Sequence, residues 1–82
     1  MKMHLELYAS LMHLLPPGSA RFRRDIKVAD DANVQDVIDE YKVPMELAHI
    51  VLVNGKFVCE NRSEHKLEEG DVLSIWPPVA GG

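Results

Sequence analysis

The sequence predicts a two-layer α+β domain, in which a five-stranded mixed sheet packs on one main helix. Three observations predict it. Apolar and polar residues alternate at the start of the chain, an amphipathic helix pattern follows Asn33, and Asn54-Gly55 joins two strand patterns. The 82 residues suffice for one hydrophobic core and are too few for two.

The first two strands are predicted from alternation with a period of two. The apolar side of the first strand comprises Met1, Met3, Leu5 and Leu7. After the turn signal at Pro16-Pro17-Gly18, a second strand is expected between Arg21 and Val28. Arg24 falls in the apolar phase of that segment, so the strand can begin as late as Asp25.

The helix is predicted from a capping box and a helical repeat. Asn33 and Asp36 have the spacing of the box. The apolar face has the spacing i, i+3, i+4, i+7 and comprises Val34, Val37, Ile38 and Tyr41. Because Pro44 disfavours continuation past Val43, we expect a helix of about ten residues.

Three strands are predicted in the remainder of the domain. Asn54-Gly55 favours a type I′ hairpin, since both positions of that turn need positive φ. Leu67 is expected to anchor an otherwise polar segment in the core, and Pro77-Pro78 to end the sheet. The predicted strands are Ile50–Val53, Lys56–Cys59 and Val72–Trp76.

Composition excludes several classes of protein. Hydrophobic residues make up 46% and charged residues 27% of the chain, as in ordinary globular proteins, and a net charge of −4 gives no support to nucleic-acid binding. The longest apolar run, Ile50–Val53, is too short to span a bilayer. Cys59 is the single cysteine, which excludes an internal disulfide and favours a reducing, cytoplasmic location.

The chain closes on an extended segment whose side chains become smaller. We expect residues 1–76 to form the domain and residues 77–82 a tail. Pro77 and Pro78 hold such a tail extended, and the sequence then continues Val79-Ala80-Gly81-Gly82. A backbone without Cβ atoms can enter a narrow channel, which predicts insertion of residues 77–82 into the active site of a partner.

The reactive group of the tail is the α-carboxylate of Gly82. It is a poor electrophile until it is activated, for instance as a mixed anhydride with AMP, after which a nucleophile can displace the AMP. The sequence has no nucleotide-binding loop, so a partner must perform the activation. Terminal glycines are also common as frayed ends, and an inert tail is the alternative interpretation.

The chain resembles the MoaD/ThiS family of ubiquitin-like sulfur carriers, and most closely its MoaD branch, the small subunits of molybdopterin synthase. The resemblance spans nearly the whole domain, and its most specific part is the ending. The matching pieces are Leu7-Tyr8-Ala9-Ser10-Leu11, the helix after Asn33, Val53-Asn54-Gly55, Leu67-Glu68-Glu69-Gly70-Asp71, and Trp76-Pro77-Pro78-Val79-Ala80-Gly81-Gly82. The chain departs from the family at two places. Trp76 stands where Phe is more usual, and the stretch from Pro16 to Arg24 is an unusual, basic version of the first hairpin.

The resemblance implies a β-grasp fold and a sulfur-transfer cycle in molybdenum cofactor biosynthesis. An ATP-dependent, ubiquitin-activating-like enzyme would adenylate Gly82, and a sulfur donor protein would convert it to a thiocarboxylate. The large subunit of molybdopterin synthase would then accept the tail and transfer the sulfur to a pterin precursor. The chain itself would be non-catalytic, with no cofactor or metal of its own.

Other residues have weaker functional interpretations. Trp76 and Phe57 are candidate interface residues, although packing explains either of them equally well. Cys59 is expected to be a buried packing thiol, and Arg21–Arg24 a solvated loop or a docking contact. Four histidines without a metal-ligand pattern are expected on the surface: His4, His13, His49 and His65.

Two other functions remain open beside the molybdopterin carrier. A thiamin-type sulfur carrier would use the same activation with another acceptor. A ubiquitin-like modifier would join Gly82 to a lysine amine, and its chemistry is identical up to adenylation.

Overall fold

The computed structural model describes residues 1–18, 20–58 and 61–78, and these contain one five-stranded sheet. Its spatial order is β2-β1-β5-β3-β4, with β1 parallel to β5 and the other neighbours antiparallel. The predicted mixed sheet with one main helix is confirmed. The elements are β1 (Lys2–Leu7), a 3-10 helix (Ala9–Leu14), β2 (Arg23–Lys27), α1 (Val34–Glu40), β3 (Ile50–Val53), β4 (Lys56–Phe57) and β5 (Val72–Trp76).

The core lies between α1 and one face of the sheet. The faces predicted for the first and last strands are confirmed, because Met3, Leu5 and Leu7 of β1 and Leu73 and Ile75 of β5 are fully buried. The apolar face of α1 belongs to the same buried cluster. Its central members are Met3, Leu5, Leu7, Val34, Val37, Ile38, Leu73 and Ile75.

The capping box of α1 is present as predicted, but the helix is shorter than expected. Asn33 Oδ1 accepts from the Asp36 backbone N–H at 2.8 Å, and Asp36 Oδ2 accepts from the Asn33 N–H at 3.0 Å. The helix covers seven residues because Lys42 adopts a φ of 58°. The N–H groups of Lys42 and Val43 then bond to the carbonyls of Asp39 and Ile38, which is a Schellman motif that ends the helix before Pro44.

The hairpin turn is clamped to the turn that precedes β5. Asn54 and Gly55 have φ values of 51° and 83°, the positive values that the sequence predicts. Asn54 Nδ2 donates to Asp71 Oδ1 at 2.8 Å, and Asn54 Oδ1 accepts from the Val72 N–H at 2.9 Å. The other oxygen of the buried Asp71 accepts from the Glu68 N–H at 2.8 Å, so the Gly-Asp turn has a structural role.

Two features of the first 30 residues differ from the predictions. The segment Ala9–Leu14 forms a 3-10 helix that buries Leu11, where no helix was expected. The second strand begins at Arg23, later than Arg21 and earlier than Asp25. The alternation of buried and exposed residues therefore does not extend to Phe22, which is 39% exposed.

Arg24 occupies a position of β2 where the alternation calls for an apolar residue. Its guanidinium binds the loop that leads into the strand, which explains the polar residue there. Its Nε donates to the Pro16 carbonyl at 2.6 Å and its Nη2 to the Gly18 carbonyl at 3.1 Å. Its Nη1 donates to the carbonyls of Ala20 and Arg23. This loop obtains its hydrogen bonds from a side chain, and Arg24 is therefore a structural residue.

The predictions for residues 50–76 are confirmed only in part. Leu67 is 4% exposed, which confirms the expected anchor. The return strand is shorter than predicted and ends at Phe57, while Cys59 lies outside the described residues. Within the described ranges, no helix is long and apolar enough to cross a membrane.

Candidate functional site: the root of the C-terminal tail

The predicted tail, residues 77–82, follows the middle strand of the sheet in sequence. β5 pairs with β1 on one side and β3 on the other, and it ends at Trp76, as the following proline pair predicts. Pro77 is buried and Pro78 exposed. The remaining predicted tail residues, Val79, Ala80, Gly81 and Gly82, lie outside the described residues.

Three aromatic rings stack beside the point where the tail begins. The centroids of the Tyr8 and Trp76 rings are 3.8 Å apart, and their planes differ by 4°. Phe22 stacks on Tyr8 with its centroid 4.9 Å away and an interplanar angle of 26°. The Tyr8 N–H donates to the Ile75 carbonyl at 3.2 Å, which fixes the backbone of Tyr8 beside β5.

The chain turns sharply at this position. Ala9 directly follows Tyr8 and has a φ of 52°, in the left-handed region that non-glycine residues seldom adopt. The 3-10 helix starts at Ala9, and Leu11 within it is buried. Tyr8 is therefore the single residue between β1 and the 3-10 helix.

A carboxylate beneath the aromatic stack collects three hydrogen bonds. Glu6 Oε1 accepts from the Tyr8 hydroxyl at 2.7 Å and from the Ser74 hydroxyl at 2.8 Å. Glu6 Oε2 accepts from Arg23 Nη1 at 3.2 Å. The Glu6 side chain is only 13% exposed, so these donors replace most of its hydration.

The network changes the acidity of Tyr8. Burial, followed by the hydrogen bond to Glu6 and the negative charge of Glu6, raises the pKa of Tyr8 to about 12. The nearby Arg23 guanidinium opposes this shift. Tyr8 is thus a neutral hydrogen-bond donor at physiological pH, and its hydroxyl holds the ring in place.

The sheet face opposite α1 continues as an apolar surface from Trp76. The register places Ile50 across from Trp76, and Leu52 between Ser74 and Phe57, so all five residues share one face. Phe57 is 68% exposed and Trp76 40% exposed. The two predicted interface residues therefore lie on one face, which we call the open sheet face.

Of the residues that sequence reasoning set aside, those that the structure describes do not form a second site. His4 is half-buried and pairs with Asp25 at 2.6 Å, while His13, His49 and His65 are exposed. Among residues 1–18, 20–58 and 61–78, no group of three His, Cys, Asp or Glu side chains could hold a metal ion. Of the basic segment, Arg24 binds the loop and Arg23 binds Glu6, whereas Arg21 is exposed.

Sequence reasoning missed the Glu6 network. The alternation in β1 placed Glu6 and Tyr8 on the side away from the core, which was the available signal. The partner Ser74 is 68 positions away and becomes adjacent only through the parallel pairing of β1 with β5. No local pattern in the sequence specifies that register.

Comparisons with known proteins agree with this architecture. The family model described as the ThiS family matches residues 6–82. A search of curated proteins returned no match. Among solved structures, SAMP1 from Haloferax volcanii is similar over 100% of both chains, with a TM-score of 0.69 and 23% identity.

Two further structures carry the name molybdopterin converting factor. A candidate molybdopterin converting factor subunit 1 from Pyrococcus furiosus has a TM-score of 0.68 and 25% identity, over 95% of this chain and 98% of that one. The complex of subunits 1 and 2 of the molybdopterin-converting factor from Helicobacter pylori 26695 matches over 100% of both chains, with a TM-score of 0.61 and 21% identity. These similarities confirm the ubiquitin-like β-grasp fold.

Proposed function

The chain belongs to the ThiS family, and from this premise we propose that it is a sulfur carrier, the small subunit of a molybdopterin synthase, which works through Gly82. The observation that supports the proposal best is that the family match reaches residue 82. It therefore includes the whole segment that follows Trp76. Aromatic stacking and hydrogen bonds hold the residues from which this segment extends.

The proposed cycle needs one reactive group from this chain. A partner enzyme joins the Gly82 carboxylate to the α-phosphate of ATP, and pyrophosphate leaves. A sulfur donor protein then supplies sulfur at the oxidation level of sulfide, which displaces AMP and leaves a thiocarboxylate. The thiocarboxylate sulfur then attacks the pterin precursor, and water cleaves the acyl–sulfur bond, which leaves the sulfur on the pterin and returns Gly82 to the carboxylate. The acid, base and substrate pocket for these steps belong to the partners.

The open sheet face is the proposed docking surface for the large subunit. The Helicobacter pylori protein was solved as a complex of subunits 1 and 2, which supports a partner of this kind. Trp76 and Phe57 are the proposed anchors, because large, partly exposed aromatic residues commonly carry binding energy. Pro77, Pro78, Val79, Ala80 and Gly81 are proposed to lie in the large subunit's active site.

A modifier function is the second candidate, and one comparison favours it. The similar Haloferax volcanii protein is named small archaeal modifier protein 1. Conjugation would use the same adenylate, with a lysine amine in place of the sulfur donor as nucleophile. A thiamin-type carrier differs only in the acceptor of the sulfur.

The intact mass of the chain after activation distinguishes a sulfur carrier from a modifier. The chain is incubated with its cognate activating enzyme, ATP and a sulfur donor, and a reaction without ATP is the control. A gain of about 16 Da, from oxygen replaced by sulfur at the carboxyl group, supports a carrier. Isopeptide-linked species of higher mass support a modifier, and an unchanged mass in every reaction contradicts both.

A further inference from the structure

The side chain of Glu6 connects three strands beneath the aromatic stack. Its register neighbours are Arg23 on β2 and Ser74 on β5, and both bind its carboxylate. The third donor is the hydroxyl of Tyr8, two residues further along the same side of β1. A carboxylate with three donors and 13% exposure has little freedom to move.

The contact with Tyr8 extends the influence of Glu6 to the tail. The Tyr8 ring is held at its hydroxyl end by Glu6 and stacks on the Trp76 ring at 3.8 Å. Trp76 is covalently followed by Pro77, whose ring restricts the backbone where the tail begins. Restricting the Trp76 side chain before binding lowers the entropy lost when a partner encloses it.

We propose that Glu6 is a positioning residue: through the Tyr8 hydroxyl it holds Trp76 in one orientation and presents the root of the tail to the protein partners. The statement about partners rests on the proposed function, whereas the statement about Trp76 does not. Glu6 does not touch the reacting atoms, so its effect is on recognition of the chain and not on the chemistry at Gly82.

Substitutions at Glu6 and Tyr8 test the link between them. Glu6→Leu removes the acceptor, and Tyr8→Phe removes only the donor while it keeps the ring. Glu6→Gln retains an oxygen that can accept from the Tyr8 hydroxyl and is expected to restore the wild-type behaviour in large part. Asp25→Asn is the charge control, because Asp25 is exposed on the neighbouring strand and binds His4.

The first measurement is the fluorescence of Trp76, which is the single tryptophan of the chain. We expect Glu6→Leu and Tyr8→Phe to increase quenching by acrylamide and to weaken the near-ultraviolet circular dichroism. Glu6→Gln and Asp25→Asn are expected to match the wild type. Tyr8→Phe keeps the core intact, so this variant decides the question if Glu6→Leu does not fold.

The second measurement is ATP–pyrophosphate exchange by the cognate activating enzyme. We expect the KM for the two disruptive variants to rise by about three- to tenfold, the loss that corresponds to ordering one large side chain. Their kcat is expected to stay within about twofold of the wild type, because the Gly82 carboxylate is unchanged.

Two results would overturn the proposal. One is a Tyr8→Phe variant whose Trp76 quenching equals that of the wild type, and the other is unchanged KM in a variant whose Trp76 is released. If the wild-type chain is not activated at all, the proposed function fails, and the fluorescence of Trp76 still decides whether Glu6 positions it.

Discussion

The ring of Tyr8 lies parallel to the ring of Trp76, with 3.8 Å between their centroids, and thereby joins the end of β1 to the last residue of β5. The tail thus begins at a position that is supported from a neighbouring strand as well as from its own. Predictions about the surface, the loops and the acidity of Tyr8 follow from this arrangement and from the contacts around it.

Phe57→Ala tests the docking surface separately from stability. The Phe57 side chain is 68% exposed, so its loss is expected to change the free energy of unfolding by less than about 0.5 kcal/mol. Affinity for the large subunit, measured by titration calorimetry, is expected to fall by more than about 1 kcal/mol. Met45→Ala is the matched control, because Met45 is 57% exposed and contacts Gln35 of α1, on the opposite side of the sheet. Equal losses for both variants would argue against a docking role of the open sheet face.

Asp71→Ala is expected to destabilise the domain by about 1–3 kcal/mol. The change leaves the Glu68 N–H and the Asn54 amide without their acceptor, and both hydrogen bonds are partly buried. Chemical denaturation monitored by circular dichroism measures the loss. Glu46→Ala, a change at an exposed carboxylate, is expected to stay within about 0.5 kcal/mol of the wild type. A neutral Asp71→Ala would show that the clamp between the two turns contributes nothing to folding.

Arg24→Lys is expected to destabilise the loop almost as much as Arg24→Ala. The guanidinium of Arg24 reaches the carbonyls of Pro16, Gly18 and Ala20 at once, and a lysine ammonium lacks that planar arrangement of donors. Both variants are expected to lose about 1–3 kcal/mol of unfolding free energy. Faster amide hydrogen exchange at the first residues of β2 is the local sign of the change. Full retention of stability in the lysine variant would mean that charge alone suffices.

The stability of the domain is expected to depend on Tyr8 at high pH. The folded state raises the pKa of Tyr8 from 10.0 to about 12, so it holds the phenolic proton more tightly than the unfolded chain. The resulting stabilisation is complete below pH 10.0 and is lost as the pH rises through about 12. Titration of tyrosinate absorbance in Tyr41→Phe, where Tyr8 is the remaining tyrosine, measures this pKa. An ordinary pKa in that variant would contradict both the burial of the Tyr8 hydroxyl and its hydrogen bond to Glu6.

Local chemistry explains which parts of the fold were predictable. The Asn33–Asp36 box and the Asn54-Gly55 turn act over two to four residues, and each is present as the sequence indicates. The 3-10 helix was missed because its two buried or half-buried leucines, Leu11 and Leu14, span a single turn, too short for a periodic pattern.

The contacts around the site required the tertiary structure. Arg24 was ambiguous because its partners are backbone carbonyls, which no side-chain pattern reveals. The Glu6–Ser74 contact depends on a parallel register between strands at opposite ends of the chain. The chemistry of Gly82, in contrast, was proposed from the sequence alone.

The most direct test of the sulfur-carrier function is the transfer of sulfur from the activated chain in a single turnover. The thiocarboxylated chain is mixed with the large subunit and the pterin precursor, and the mass of the chain is followed together with the sulfur content of the pterin. We expect the chain to lose about 16 Da, as oxygen replaces sulfur at its carboxyl group, and the pterin to gain a matching amount of sulfur. A chain extended by one bulky residue after Gly82 should remain folded and show neither change. A thiocarboxylate that persists while the large subunit and the precursor are both bound would contradict the proposal that this chain donates sulfur to the pterin.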